Sequence, residues 1–382
     1  MRIGLVRRVL DPNGGGAEKV ACALLQELLR RGHQVTVFSE VLTGIKADGV
    51  NCRWIQVPQH GLASSSTLRF QRHVRPLLQN QRQNLDVILT LCRALPADVF
   101  MVTEQVHVEW CQGRYLFGGR LNPRHRGIMA LERQCFKHIP LILVNSQLVR
   151  AQVLRRFALP AERVLPLPLG IDSNRFTPPV NEQERQQFRE QLQLSPDKIV
   201  LLFVAMDFAT KRLDIAMRGL AALPPEYRHK FQLLAVGGEK VTQFARLAES
   251  LDIAVHFAGR QNELRRFYCA SDLFYYPGPY ETFGMVCLEA AACALPVLIS
   301  EAKGASEIVI PGKNGYRVKG EGEPQELSAM LRQFADLTAS AREQMRLAAL
   351  ASTEKYNMQH YFNQLEKHLQ AVAADRTQNT TV

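Results

Sequence analysis

Residues 1–38, MRIGLVRRVLDPNGGGAEKVACALLQELLRRGHQVTVF, decide the fold. Residues 2–6 form a short apolar strand, and 11–16 (DPNGGG) a glycine-rich turn. From Ala17 the apolar residues recur at Val20, Leu24, Leu25, Leu28 and Leu29, the spacing of one helix face. Gly32 stops that helix, and 34–38 (QVTVF) reads as a β-branched strand. A strand, a glycine loop, a helix and a second strand make a β-α-β unit. Such a unit demands a parallel sheet, with ligands beyond the carboxyl ends of its strands.

Outward from this unit the pattern repeats. Strand-like runs lie at 86–91, 98–103, 141–144 and 165–172 (LPLPLGID), and Pro178-Pro179 marks a linker. A second series starts at 199–205 (IVLLFVA), with a helix around 212–221, a strand at 232–236 and then Gly237-Gly238. It continues through a helix at 241–251, a strand at 255–257, a helix at 263–270, a strand at 273–276, a helix at 286–293 and a strand at 296–299. The expected architecture is α/β, two Rossmann-like doubly wound lobes with a cleft between them. The boundaries read 1–177 for the first lobe and 178–350 for the second. Helices over 351–375 are expected to pack back on the first, followed by a disordered polar tail at 376–382.

A chain of 382 residues is about two and a half times the ~150 that serve one domain. With 46% apolar and 22% charged residues, disorder, collagen and coiled coil are excluded for most of it. The longest apolar run, 283–299, is interrupted by Glu289 and Pro296, too short for the ~20 residues of a membrane span. The amino-terminal apolar stretch carries Arg7 and Arg8 and does not read as a secretory signal. Eight scattered cysteines with no C-x-x-C pair read as reduced thiols rather than a zinc site or disulfide framework, and the expected compartment is cytoplasmic.

Charge is distributed unevenly. Residues 1–180 hold 24 Lys and Arg against 12 Asp and Glu, whereas 181–382 hold 23 against 24. The whole basic excess lies in the first half, which points to an anionic partner there. Arg114, Arg120, Arg124, Arg126, Arg133 and Lys137 alternate with apolar residues, as do Arg69, Arg72, Arg75 and Arg82. That alternation suits an anionic membrane face or a phosphorylated glycolipid. No helix-turn-helix, RNP or zinc-finger pattern accompanies it, so nucleic acid is not expected.

The most informative motif is 281–289, ETFGMVCLE, two glutamates eight positions apart across a loop-to-helix junction. Phe283, Gly284 and Met285 supply backbone N–H groups at a helix start, where an anion or sugar hydroxyl is favoured. Glu289 falls about two turns on from Glu281 and suits the hydroxyls of a ribose, while Glu281 suits those of a second ring. Glu289 lies in the apolar run MVCLEAAACALPVLI, where a carboxylate without a partner is costly. The GGG run is not G-x-G-x-x-G, which argues against a dinucleotide oxidoreductase.

The segment PGPYETFGMVCLEAAACALPVLISEAKGASEIVIPGKNGYRV resembles the donor site of the retaining GT-B glycosyltransferases of family 4. GGGAEK, RRGHQVTVF, VNSQLVR, LPLGIDSNRF, DFATKRLD, LLAVGG and VHFAGR follow the family's order over nearly the whole chain. Within the family, DVFMVTE, RHRGIMALERQCF and FVAMDFATKRLD are most similar to the lipopolysaccharide core glucosyltransferases. The resemblance implies that Glu289 binds the nucleotide ribose, and that Glu281 with Phe283 and Gly284 holds the donor sugar. Lys211 would neutralise the donor diphosphate. Thr210 stands where the family usually has Arg, and Arg212 where it has Gly, so Arg212 is the candidate replacement for that guanidinium. Arg260 lies where the chain approaches the nucleobase. In the first lobe, Gly15 and Gly16 would let the backbone approach the diphosphate, and Glu104 and His107 are the candidates facing the reaction centre.

The implied chemistry is retaining transfer of a hexose, most simply glucose, from a UDP-sugar. The acceptor would be a heptose or other sugar of the lipopolysaccharide core, at the cytoplasmic face of the inner membrane. The sequence holds no D-x-D pattern, so no metal or other cofactor is expected, and fixed cations and helix amino-termini would stabilise the leaving diphosphate. Two other readings stand: the same chemistry on another lipid-linked or exopolysaccharide acceptor, and a nucleotide-sugar epimerase or non-catalytic sugar-nucleotide binding protein.

Overall fold

The structure, a computed structural model, describes residues 1–45, 49–112, 115–238 and 241–380, without the side chains at 116, 379 and 380. The chain divides into two compact units, Met1–Pro168 with Tyr361–Val382, and Leu169–His360.

The first unit begins β1 (Arg2–Val6), β2 (Val9–Leu10), α1 (Gly16–Arg30), β3 (Gln34–Ser39), β4 (Val41–Leu42) and β5 (Cys52–Gln56). It goes on through α2 (Ser66–Gln81), β6 (Val87–Thr90), β7 (Val99–Val102), α3 (His107–Gln112), α4 (Pro123–His138), β8 (Leu141–Val144), α5 (Gln147–Phe157) and β9 (Val164–Pro166). Its main sheet has the order β5-β3-β1-β6-β7-β8-β9, and β2 pairs with β4 beside it. β1 is an interior strand, in parallel register with β3 (Val6 opposite Phe38) and β6 (Val6 opposite Thr90). α1 buries Ala21, Cys22, Leu24, Leu25 and Leu28. The contact stripe is thus rotated slightly from the expected one, and Val20 and Leu29 are half-buried at its margins. The LPLPLGID run supplies only β9, whose three residues end before Leu167.

The second unit comprises α6 (Glu182–Gln191), β10 (Ile199–Ala205), α7 (Leu213–Ala221), α8 (Pro225–Arg228), β11 (Phe231–Gly237), α9 (Thr242–Ser250), β12 (Val255–Gly259) and α10 (Arg265–Ala270). After these come β13 (Leu273–Tyr276), α11 (Met285–Ala292), β14 (Val297–Ser300), β15 (Gly315–Val318), α12 (Pro324–Ala335) and α13 (Ala339–Ala351). The sheet order is β12-β11-β10-β13-β14-β15, parallel throughout. β10, β13 and β14 are buried along their whole length, as a sheet covered on both faces requires.

Two boundaries differ from the sequence reading. The first break falls at 168/169 instead of 177/178, because residues 169–178 are tied to the second unit. The Ile171 amide donates to the Tyr356 carbonyl (2.7 Å), Phe176 meets Tyr268 edge-on (6.1 Å), and Arg265 donates to the Thr177 and Pro178 carbonyls (3.1 and 2.9 Å). The second break falls at 360/361 rather than 350/351, since Tyr356 still packs on Phe283 (6.2 Å). The last helix, α14 (Met358–Thr380), also runs through most of the segment expected to be disordered. There Arg376 donates to the carbonyls of Leu85 (2.7 Å) and Arg82 (3.0 Å), and Glu366 pairs with Arg31 (2.8 Å); residues 381–382 lie outside the described ones. All eight cysteines are buried and unbridged. Among the described residues no helix is long and apolar enough to cross a membrane.

Candidate functional site

In the second unit the chemistry gathers at the carboxyl ends of β10, β13 and β14. After β10 the chain turns sharply on Asp207, whose carboxylate accepts from the Ala209 and Thr210 amides (2.9 and 3.0 Å) and the Thr210 hydroxyl (2.9 Å). Thr210 therefore builds the turn that positions Lys211. The Lys211 ammonium lies 2.8 Å from Glu281 Oε1, and Tyr276 donates to Oε2 (3.2 Å). Gly278, at φ +112°, lets the strand β13 exit pass Lys211 closely: a Cβ there would stand 2.9 Å from the Lys211 carbonyl oxygen.

Behind Glu281 is a residue the sequence reading did not single out. Lys303 is fully buried, donates to the Pro279 carbonyl (3.0 Å) and lies 4.2 Å from the centre of the Tyr276 ring. Its segment is held to that of Glu281 by backbone bonds, Glu281 amide to Ala302 carbonyl (3.2 Å) and Gly304 amide to Glu281 carbonyl (3.0 Å). The available signal was a lysine three residues past the strand-like run PVLIS, after Glu301 and Ala302. Burial raises the pKa of Glu281, but Lys211 and Lys303 outweigh it and hold the carboxyl below its usual range. Burial pushes Lys303 down to about 8.

That value has a consequence for pH. Lys303 loses its charge as pH rises through about 8, and with it one of the two cations facing Glu281. A lysine whose folded pKa lies below the unfolded one costs stability while charged, so this cost lifts as pH climbs from about 8 toward the ordinary lysine value. Lys303→Met is expected to lower kcat/KM at pH 7 by roughly tenfold, the scale of one pKa unit of lost charge interaction. The parent should show a basic limb near pH 8, and the variant should lack it. An unchanged pH profile in the variant would contradict this role.

Gly284 caps α11 at φ +103° and lies beside Glu281, 3.7 Å from Oε2 to where its Cβ would stand, and the amides of the helix's first turn have no partner within the helix. Phe283 is buried and its carbonyl accepts from Ala305 (2.7 Å). Met285 opens the helix, and Glu289, half-buried, accepts from the buried Tyr268 hydroxyl (2.8 Å). The Cys287 thiol lies among these groups, its pKa pushed well up by burial; Lys303 and Lys211 pull it down, while Glu281 and Glu289 add to the rise. Lys211, Glu281, Phe283, Gly284, Met285 and Glu289 thus share one locality. Arg212 turns elsewhere: at φ +56° it caps α7 and bonds Asp214 (2.9 and 3.0 Å), with Glu321 at 3.7 Å. Arg260 is exposed just after β12.

The candidates of the first unit form a second cluster, at the carboxyl ends of β1, β6 and β7. Glu104 is held between two guanidiniums, Arg7 on Oε1 (3.0 Å) and Arg93 on Oε2 (2.6 Å). Burial raises its pKa, and Arg93 and Arg7 lower it further, which leaves a firmly ionised carboxylate rather than a proton shuttle. Arg7 also bonds Glu18 of α1 (2.9 Å), and Arg93 bonds Glu132 of α4 (2.8 Å). Glu132 in turn accepts from the His107 amide (2.8 Å). The His107 ring faces His125, with Nε2 3.1 Å from Nδ1. Burial and then Arg93 push its pKa down to about 4, so it is neutral at physiological pH. Gly15 caps α1 at φ −70°, and Gly16 has open space where a Cβ would stand, so neither is required by a positive φ.

The basic segments separate into two fates. Phe70, Val74, Leu78, Ile128 and Phe136 face the core, Arg69 pairs with Glu40 (3.2 Å) and Arg82 with Asp98. Arg120, Arg124, Arg126, Arg133 and Lys137 are exposed, and Phe117 and Leu121 are 74% and 75% exposed beside them; Arg114 lies outside the described residues.

Two family models match the chain: Glycosyltransferase Family 4 over residues 14–175, and Glycosyl transferases group 1 over residues 184–350. The lipopolysaccharide glucosyltransferase WaaG of Escherichia coli K12 is 26% identical over 328 residues, 83% of this chain and 85% of its own. A D-inositol 3-phosphate glycosyltransferase of Actinosynnema mirum is 33% identical over 202 residues, 50% of this chain and 48% of that relative. Among solved structures, that of WaaG matches with a TM-score of 0.81 at 23% identity, over 97% of this chain and 99% of its own. Anabaena HepE in complex with UDP and glucose matches with 0.73 at 19%, over 97% and 100%. At these identities the structural matches speak to the fold, two parallel α/β sheets of the GT-B type.

Proposed function

Because this chain belongs to the GT-B glycosyltransferases of family 4, we propose that it transfers a hexose, glucose in the first instance, from a UDP-sugar to a sugar of the lipopolysaccharide core. The observation that carries the reading is the Lys211–Glu281 pair at the start of α11, backed by Lys303 and followed by Glu289. An incoming diphosphate competes with Glu281 for the Lys211 ammonium, and the released carboxylate accepts hydroxyls of the donor sugar. Glu289 accepts those of the ribose. The similarity to WaaG supports a lipopolysaccharide acceptor, and HepE, with UDP and glucose bound, supports the donor class.

In the proposed reaction the acceptor hydroxyl attacks the anomeric carbon on the face from which the diphosphate departs, retaining configuration. The new C–O bond forms as the bond to the diphosphate breaks, and the hydroxyl proton passes to a diphosphate oxygen. Charge grows on the leaving group, where Lys211 and the α11 amides stabilise it without a metal. The exposed Phe117 and Leu121 beside Arg120 and Arg124 suit the anionic inner-membrane surface, which would place the enzyme peripherally at its cytoplasmic face. Sedimentation with phosphatidylglycerol vesicles is expected at low salt and lost at high salt; binding unaffected by Phe117→Ser with Leu121→Ser would contradict that placement.

The inositol phosphate relatives favour a second reading, a soluble phosphorylated acceptor. Both readings predict that UDP is released from UDP-glucose only when acceptor is supplied, with core oligosaccharide or inositol phosphate as the respective acceptor. Release that ignores every acceptor, or epimerisation of the donor without UDP release, would overturn the transferase assignment.

A further inference from the structure

The first unit brings together three side chains that the proposed transfer does not need. His107 and Cys111 stand four residues apart on α3, on one face of the helix. His125, near the start of α4, meets them from the other side. One donor atom from each lies within 4.8 Å of the other two, and His107 Nε2 is 3.1 Å from His125 Nδ1. Ligands on a tetrahedral ion, with metal–nitrogen bonds of about 2.0–2.1 Å and metal–sulfur bonds of about 2.3 Å, stand roughly 3.3–3.8 Å apart. The trio is therefore near the geometry of a shared ion.

The surroundings are built to hold the trio in place. Cys111 and His125 are 0% and 5% exposed. The ring of Tyr115 lies 4.6 Å and that of Trp110 5.7 Å from the His125 ring, so two aromatic rings pack against the donors. The His107 amide is fixed by Glu132, itself bonded by Arg93. Gly119, at φ +70°, closes over the cluster: a Cβ there would come within 3.3 Å of both Cys111 Sγ and His125 Cδ2. Phe117, Gly118 and Gly119 are left-handed in succession, so the exposed turn between α3 and α4 folds back directly onto these ligands.

We propose that His107, Cys111 and His125 bind a divalent transition-metal ion of the zinc class, with a water completing the tetrahedron. Two imidazoles and a thiolate form a borderline-soft donor set that suits zinc or cobalt and disfavours magnesium or calcium. On binding, the Cys111 thiol proton goes to solvent, both imidazoles bind as neutral ligands, and no oxidation state changes. The ion ties α3 to α4 across the turn that carries Phe117 and Leu121. The assignment concerns the first unit alone and leaves the leaving-group chemistry of Lys211 as it stands. His107 is then a ligand, with its Nε2 directed to the ion.

The direct test is reconstitution of the full chain with Co²⁺ after chelator treatment under reducing conditions, read by elemental analysis and absorption. About one equivalent is expected, with the strong visible bands of tetrahedral cobalt and a thiolate charge-transfer band in the near ultraviolet. That band should vanish in Cys111→Ser and persist in Cys22→Ser, and His125→Asn should weaken binding by more than about tenfold. Wild-type chain that takes up only trace cobalt overturns the proposal without any variant having to fold. So does a thiolate band that survives Cys111→Ser, because another cysteine then supplies it. Either outcome would leave the trio a buried, hydrogen-bonded histidine pair packed against a cysteine.

Discussion

Lys211→Ala is expected to lower kcat by about 10²- to 10³-fold, the loss typical of removing one preorganised group that stabilises developing charge. The fold should survive. Lys211 is 28% exposed, and partly exposed ion pairs contribute little to stability, ~0–1 kcal/mol. Glu281 keeps a cation in Lys303, so the substitution leaves no isolated buried carboxylate. The loss should fall mainly on kcat, since the charge that Lys211 meets grows as the diphosphate leaves. Lys211→Arg separates charge from geometry: a planar guanidinium on a three-methylene stem restores part of the rate only if exact position is secondary. Turnover within threefold of the parent in Lys211→Ala would remove this account of leaving-group stabilisation.

The second large effect is expected at Glu289. A ribose diol bound to a carboxylate contributes about 1.5–3 kcal/mol, so Glu289→Ala should weaken donor affinity by about 10- to 100-fold. The same carboxylate accepts from Tyr268, whose hydroxyl would be left buried and unpaired in that variant, so part of any loss could be structural. Tyr268→Phe tells the two apart: it removes the internal bond and leaves the carboxylate for the ribose, and donor affinity should change less than about threefold. Isothermal titration with UDP measures both variants. Equal losses in the two would mean that Glu289 serves the core and not the nucleotide.

Much of this was legible in the residues. The β-α-β start required a parallel sheet, and the apolar runs at 199–205 and 273–276 could only be strands covered on both faces. ETFGMVCLE located Glu281, Gly284 and Glu289 because two acids on either side of a glycine-capped helix start have few other uses. What the sequence concealed was partnership. Nothing local showed that Lys303 would pass beneath Tyr276, since that contact is made by the neighbouring strands β13 and β14. Glu104 read as an acid facing the reaction centre, and its partners stayed hidden because Arg7 and Arg93 reach it from separate strand ends, 97 and 11 residues away. The H-x-x-x-C spacing at 107–111 was visible, but its third member, His125, joins only through the packing of α3 on α4. Pro178-Pro179 read as a linker because proline breaks elements; here the Pro178 carbonyl accepts from Arg265 and ties the segment down.

A crystal structure of the chain with intact UDP-glucose is the most direct measurement of the central claim. The account predicts the Lys211 ammonium released from Glu281 and within about 3 Å of a diphosphate oxygen, Glu281 on sugar hydroxyls and Glu289 on the ribose. A nucleotide bound elsewhere, with Lys211 still on Glu281 and no ribose at Glu289, would contradict it.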